Sequence, residues 1–250
     1  MPSVLALLAL ALSLPAGPAL AEAERARGGI EARPAAGEAR PPDVPRGTHP
    51  IGPAGRKGAL LHVPPGYDPA RPAPLMVFLH GAGGDAGHAL PAFADRADAA
   101  GAIVLAPSSR GPTWDVILGG FGPDVEALDR LLAEVFARHA VDPGRVAVAG
   151  FSDGASYALS LGLANGGLFT HVVAFSPGFV APGRREGAPA VFVSHGVEDT
   201  VLPILNCSRR IVPALERGGY RVVYREFPGG HTVPAEIARD AFAWFAGSPP

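Results

Sequence analysis

The chain has 250 residues, 48% of them apolar, with 21 Lys and Arg against 23 Asp and Glu and a formal net charge of -2. That length suits one domain with a sizeable core, and the even charge balance gives no pull toward nucleic acid or an anionic membrane surface. The single cysteine, Cys207, excludes an internal disulfide framework and a cysteine-based zinc site, and it reads as a small half-buried side chain.

The chain opens on "MPSVLALLALALSLPAGPALAEA". Val4 to Leu14 has the length of a signal-peptide apolar region. Ala19-Leu20-Ala21 fits the small-x-small cleavage rule, which would leave Glu22 as the new N-terminus. The residues before Val4 lack Lys and Arg, so a retained anchor stays open. Pro15, Gly17 and Pro18 cut the apolar run below the ~20 residues of a spanning helix. The expectation is a signal peptide over 1–21 and export to the periplasm or beyond the cell, with no stable membrane insertion of the mature chain. Residues 22–57, rich in Ala, Arg, Glu, Pro and Gly without apolar periodicity, read as a poorly ordered arm.

From residue 58 to 247 the texture is that of a single α/β domain. "ALLHVPPGY" is a short strand closed by a Pro-Gly turn. "APLMVFLH" (73–80), "GAIVLAPSS" (101–109), "RVAVAGFS" (145–152), "HVVAFSPG" (171–178) and "APAVFVSHG" (188–196) are continuous apolar runs, as for strands buried on both faces. "YRVVYREFPG" (220–229) ends the series. Helical stretches lie between them. In 124–140, Val125, Leu128, Leu131, Leu132, Val135 and Phe136 share one face, with Asp124 as N-cap. The stretch 153–167 is rich in small residues. Pro213 predicts a kink or two pieces within 206–219, and 234–247 starts with Pro and ends near Gly247. Strands alternating with helices predict a mostly parallel sheet flanked by helices, without a large lid domain.

Reactive groups collect at the carboxyl ends of strands in such a sheet. Gly150-Phe151-Ser152-Asp153-Gly154 places G-x-S-x-G between a strand and a helix, the context of a nucleophile bend. A serine hydroxyl needs a base, and His231 follows the last strand in "FPGGHTVP". The base needs an orienting carboxylate. Asp199 follows the preceding strand, with Glu198 as its rival; Asp153 should point away, and His195 reads as a packed strand-end residue. The order Ser152, Asp199, His231 is that of α/β-hydrolases. "LHGAGGD" (79–85) offers backbone N–H groups, and those of Ala82 and Asp153 are the expected oxyanion hole.

On "FLHGAGG", "GFSDGAS", "HGVEDTVLP" and "FPGGHTVP", the chain from about Ala59 to Ala246 resembles the phospholipase/carboxylesterase branch of the α/β-hydrolase family. It is also similar to secreted depolymerase and feruloyl-esterase-like serine esterases. The resemblance implies a serine hydrolase of carboxylic esters working without cofactor or metal, with Ser152, Asp199 and His231 in the family roles. The 179–189 loop has no room for a helical cap, so an open site for short acyl esters, or for esters of large or polymeric alcohols, is expected. Trp114, Asp115 and Phe179 are candidates for lining it; for Trp114 a place as a core cap over its loop fits equally well. A serine peptidase with the same triad, and a non-catalytic binding protein on this fold, are the alternatives.

Overall fold

The computed structural model describes residue 23 and residues 26–34, 41, 43–53, 58–91 and 93–247. The expected export signal lies outside the described residues. Eight strands form one sheet: β1 (Gly47–Ile51), β2 (Ala59–Val63), β3 (Ala73–Leu79), β4 (Ile103–Ala106), β5 (Val141–Phe151), β6 (His171–Phe175), β7 (Ala190–Gly196) and β8 (Val222–Phe227). Their order across the sheet is β1-β2-β4-β3-β5-β6-β7-β8. The pairs β1–β2 and β2–β4 are antiparallel; from β4 onward every pair is parallel.

Among the described residues, six α-helices cover the two faces: α1 (Ala86–Ala89), α2 (Ala94–Ala100), α3 (Pro123–Arg138), α4 (Asp153–Ala164), α5 (Ser208–Arg217) and α6 (Ala235–Gly247). The period-two geometry of a strand divides each continuous apolar run between them. Leu75, Val77 and Leu79 of β3 join the core beneath α3, α4 and α5, whereas Met76 and Phe78 join the core beneath α1, α2 and α6. Both halves of β3 are buried, which is why the sequence shows no alternation there. The small residues of α4 let it lie close to the sheet: a Cβ on Gly162 would fall 2.4 Å from the Val172 side chain. Among the described residues no helix is long and apolar enough to cross a membrane.

Three local expectations are corrected. The arm over 22–57 is packed in part. Gly47–Ile51 forms the edge strand β1, and Ile30, Val44 and Ile51 are buried in the core. Asn165 at the end of α4 accepts from the Ile30 amide at 2.8 Å and donates to the Gly28 carbonyl at 2.6 Å. Asp129 on α3 accepts from the amides of Glu31 and Ala32 at 2.9 and 2.8 Å. Partners so distant in sequence leave no local periodicity. Asp124 is not the N-cap of α3; Gly122 is, with Pro123 in the first turn. The Asp124 carboxylate instead takes the amides of Arg110 and Asp115. α5 runs through Pro213 as one helix. The short helices α1 and α2 had no apolar stripe long enough to read.

His139 and His171 are among the histidines buried by this packing. Burial pushes His139 down to about 4, partly opposed by the Val135 carbonyl. Burial and then the charge of Arg221 push His171 down to about 4. In the unfolded chain both titrate near ~6.5. Between those values the unfolded state binds more protons, so this contribution is fully present above about pH 6.5 and is lost as pH falls toward about 4. Among the described residues the Nε2 of His171 has no hydrogen-bond partner, and its ring meets Trp244 and Phe245 edge-on. His171→Phe should therefore reduce the slope of unfolding free energy against pH by up to about one proton between pH 6 and 4.5. Urea unfolding at stepped pH measures it, and an unchanged slope would show that His171 does not titrate on unfolding.

Candidate active site

The strand ends converge on Ser152. It closes β5 and opens α4 with φ 58 and ψ -119, a conformation that costs a non-glycine residue about 1–3 kcal/mol. The surroundings enforce it. The Ser152 amide donates to the Phe175 carbonyl at 2.9 Å. A Cβ on Gly150 would lie 2.3 Å from the Gly154 carbonyl oxygen, and one on Gly154 would lie 2.2 Å from the Leu79 carbonyl oxygen. Glycine is needed at both positions because backbone occupies the space of a side chain. The serine is 9% exposed, and its hydroxyl lies at the start of α4.

The loop after β8 brings His231 Nε2 to 2.9 Å from Ser152 Oγ. Its Nδ1 lies 2.7 Å from Asp199 Oδ2. A carboxylate only accepts, so Nδ1 carries the ring proton and Nε2 presents its lone pair to the serine hydroxyl. The loops carrying Asp199 and His231 are joined through their backbones: the amides of Val197 and Glu198 donate to the carbonyls of Phe227 and Gly229 at 3.0 and 2.9 Å. Asp199 Oδ1 accepts from the amides of Val201 and Leu202 at 2.9 and 2.8 Å. Burial alone would raise the Asp199 carboxyl. The Leu202 amide and His231 outweigh it and hold the group below the usual carboxylate range. Glu198, the rival acid, is exposed.

Beside Ser152 runs the loop after β3. The amides of Ala82 and Asp153 have no hydrogen-bond partner among the described residues. The loop is braced from outside the site. The Trp114 indole donates to the His80 carbonyl at 2.8 Å, and the Gly83 amide donates to the Pro112 carbonyl at 3.1 Å. Thr113 donates to the Asp153 carboxylate at 2.7 Å and ties that side chain to the neighbouring loop.

None of the three candidate lining residues lines the cleft beside residues 80–84. Trp114 is 1% exposed, stacked on Tyr157 with ring centroids 5.1 Å apart. Its role as a cap over the loop is the one realised. Asp115 turns inward to accept the amides of Gly122 and Asp124, and burial followed by the nearby charge of Asp124 raises its carboxyl, with the amides opposing. Phe179 is exposed after β6 and lies outside the lined cleft. That cleft, of about 520 Å³, lies beside residues 80–84 and is lined among others by Phe78, Phe93, Phe151, Val233 and Ala238. The Phe151 ring sits 4.7 Å from that of His231. Phe151 within G-x-S-x-G and Val233 after His231 are the signals of this cleft in the sequence.

A sequence profile of the phospholipase/carboxylesterase family matches residues 115–242. Feruloyl esterase C of Emericella nidulans is 29% identical over 153 residues, covering 58% of this chain and 56% of that protein. The probable feruloyl esterase C of Aspergillus terreus is 28% identical over the same lengths. The chain thus spans about half the length of the curated relatives it matches. Among solved structures, the carboxylesterase of Bacillus cereus has a TM-score of 0.61 at 21% identity, covering 77% of this chain and 94% of that one. The ferulic acid esterase of Anaeromyces mucronatus, solved with ferulic acid, has a TM-score of 0.61 at 17% identity, covering 80% and 90%. The S-formylglutathione hydrolase of Agrobacterium tumefaciens has a TM-score of 0.63 at 16% identity, covering 78% and 90%. The fold is that of the α/β-hydrolases.

The close approach of α4 to β3 is directly testable. Gly154→Ala must part the helix from the Leu79 and His80 carbonyls, and it should lower stability by about 3 kcal/mol or more. A loss under about 1 kcal/mol in chemical denaturation would show that the contact yields easily.

Proposed function

We propose that this chain, which belongs to the phospholipase/carboxylesterase family, is a serine hydrolase that cleaves carboxylic esters through an acyl-enzyme on Ser152. The observation that carries the reading is the chain of contacts from Ser152 Oγ to His231 at 2.9 Å and from His231 to Asp199 at 2.7 Å. In the first step the Ser152 oxygen attacks the ester carbonyl while His231 Nε2 takes its proton. The carbonyl oxygen gains the negative charge, and the amides of Ala82 and Asp153 donate to it. Charge held by preorganised donors in a site shielded from water lowers the barrier. The tetrahedral intermediate then collapses, and His231 gives its proton to the departing alcohol oxygen. Water activated by His231 releases the acid by the same steps in reverse. Asp199 stays ionised throughout, holds the Nδ1–H tautomer and stabilises the transient imidazolium.

Substrate breadth follows from what surrounds the serine. The segment after β6 contains no helix up to β7, which supports an open entrance suited to short acyl esters or to esters of bulky or polymeric alcohols. The names of the curated relatives make aryl esters of the feruloyl type the first to test alongside p-nitrophenyl acetate. We assign the exported form to the chain on the sequence of residues 1–21.

Ser152→Ala should lower kcat on p-nitrophenyl acetate by at least ~10³ while the protein stays folded; activity retained within about tenfold would remove Ser152 from the role. Asp199→Asn should cut kcat steeply and Glu198→Gln should matter little; the reverse ranking moves the acid to Glu198. Ala82→Pro removes one N–H and should lower kcat by at least ~10² with a smaller change in KM, checked in protein shown to be folded by circular dichroism. A folded variant with wild-type kcat would place the hole on other amides. A peptide anilide cleaved faster than every ester in parallel assays would turn the assignment to a peptidase.

A further inference from the structure

One imidazole lies inside the acid side of the site without belonging to the relay. His195, near the end of β7, is fully buried. A buried ring is costly unless its nitrogens are satisfied. Its Nδ1 is 2.7 Å from Ser208 Oγ at the start of α5. Its Nε2 is 2.7 Å from the Leu202 carbonyl and 3.2 Å from Asp199 Oδ2. A carbonyl and a carboxylate can only accept, so Nε2 carries the proton and Nδ1 accepts from the Ser208 hydroxyl.

We propose that His195 is a positioning residue: its Nε2–H, donated to Leu202 and lying beside Asp199 Oδ2, fixes the acid loop and tempers the carboxylate that orients His231. The proposal rests on the roles given above to Ser152, His231 and Asp199. Leu202 closes a ring of contacts. Its amide donates to Asp199 Oδ1, its carbonyl accepts from His195, and His195 faces the other carboxylate oxygen. That oxygen is also the one His231 uses. The carboxylate is therefore held from both ends, and it swings away from His231 only if this ring opens.

The electrostatic part has a definite sign. An N–H beside Oδ2 draws charge from the carboxylate and weakens its hold on the His231 proton. Removing it leaves a stronger acceptor, so His231 should keep its proton to higher pH and lose activity there. Other charged or titratable groups near this cluster do not mimic the effect. Glu226 lies opposite His195 on β8 and is paired with Arg209 of α5 at 2.7 and 2.8 Å. Burial raises the Cys207 thiol and keeps it neutral. Burial holds His195 itself below its ordinary value.

The test is the pH profile of kcat/KM, with kcat and KM, for wild type, His195→Phe, His195→Gln and Ser208→Ala. His195→Phe should lower kcat about tenfold with KM changed less than about threefold, and should move the acid limb up by about 0.5 pH unit. His195→Gln, which keeps an N–H donor, should recover most of both. Ser208→Ala, which frees the tautomer, should shift the limb in the same direction by less. A folded His195→Phe with a lower Tm but unmoved limb and kcat would reduce His195 to packing. If His195→Phe does not fold, Ser208→Ala decides, and an unmoved limb there overturns the proposal. Wild-type protein without Ser152-dependent ester hydrolysis overturns both this proposal and the functional reading beneath it.

Discussion

The bend at Ser152 is the constraint on which the rest of the site depends. A non-glycine residue at φ 58 is unfavourable by itself, so the conformation survives only because its neighbours leave no other path. Glycine on either side lets the Gly154 backbone reach Gly150 and the Leu79 carbonyl reach Gly154. The same approach brings the start of α4 against the end of β3. That places the free amide of Asp153 in the same neighbourhood as the loop carrying Ala82. The bend at Ser152 and the first amide of α4 are thus built by one close packing.

Asp199 and His231 arrive on the loops after β7 and β8 and are held by a different device. Backbone hydrogen bonds join the segment after β7 to the segment after β8, so the loops carrying Asp199 and His231 are tied to each other. Asp199 is buried, yet its carboxyl stays below its ordinary value because two amides and an imidazole donate to it. A buried carboxylate with those donors is oriented as well as charged. This is the role the geometry supports for it. The apolar cleft beside the 80–84 loop then reaches up to Phe151, next to the same His231 ring.

Much of the fold was legible because its strands are continuous apolar runs. β3, β6 and β7 are buried along their whole length, and the helix face from Val125 to Phe136 is a clean stripe. β1 and the packed part of the arm were not legible. Ile30 is held by Asn165 at the end of α4, and Glu31 and Ala32 by Asp129 of α3, far along the chain, and single apolar residues carry no period. The contacts among Ser152, His231 and Asp199 were legible from motif order, since each of these residues follows a strand end. Lining residues were harder. Trp114 and Asp115 sit in a loop beyond a strand end, but the loop folds inward. Its indole braces His80 and its carboxylate takes helix amides. Nothing local distinguishes an aromatic that props a loop from one that meets a substrate. His195 was readable as buried, but its contact with Asp199 needed the return of the chain at Leu202.

The central claim is that Ser152 is an activated nucleophile rather than a hydroxyl in a turn. The direct measurement is stoichiometric labelling with a fluorophosphonate, followed by mass spectrometry of the digested protein. The account predicts one adduct per chain, carried by the peptide containing Ser152, with labelling slowed by an ester substrate and abolished in His231→Ala. An unlabelled wild-type protein, or an adduct on any other residue, would contradict it.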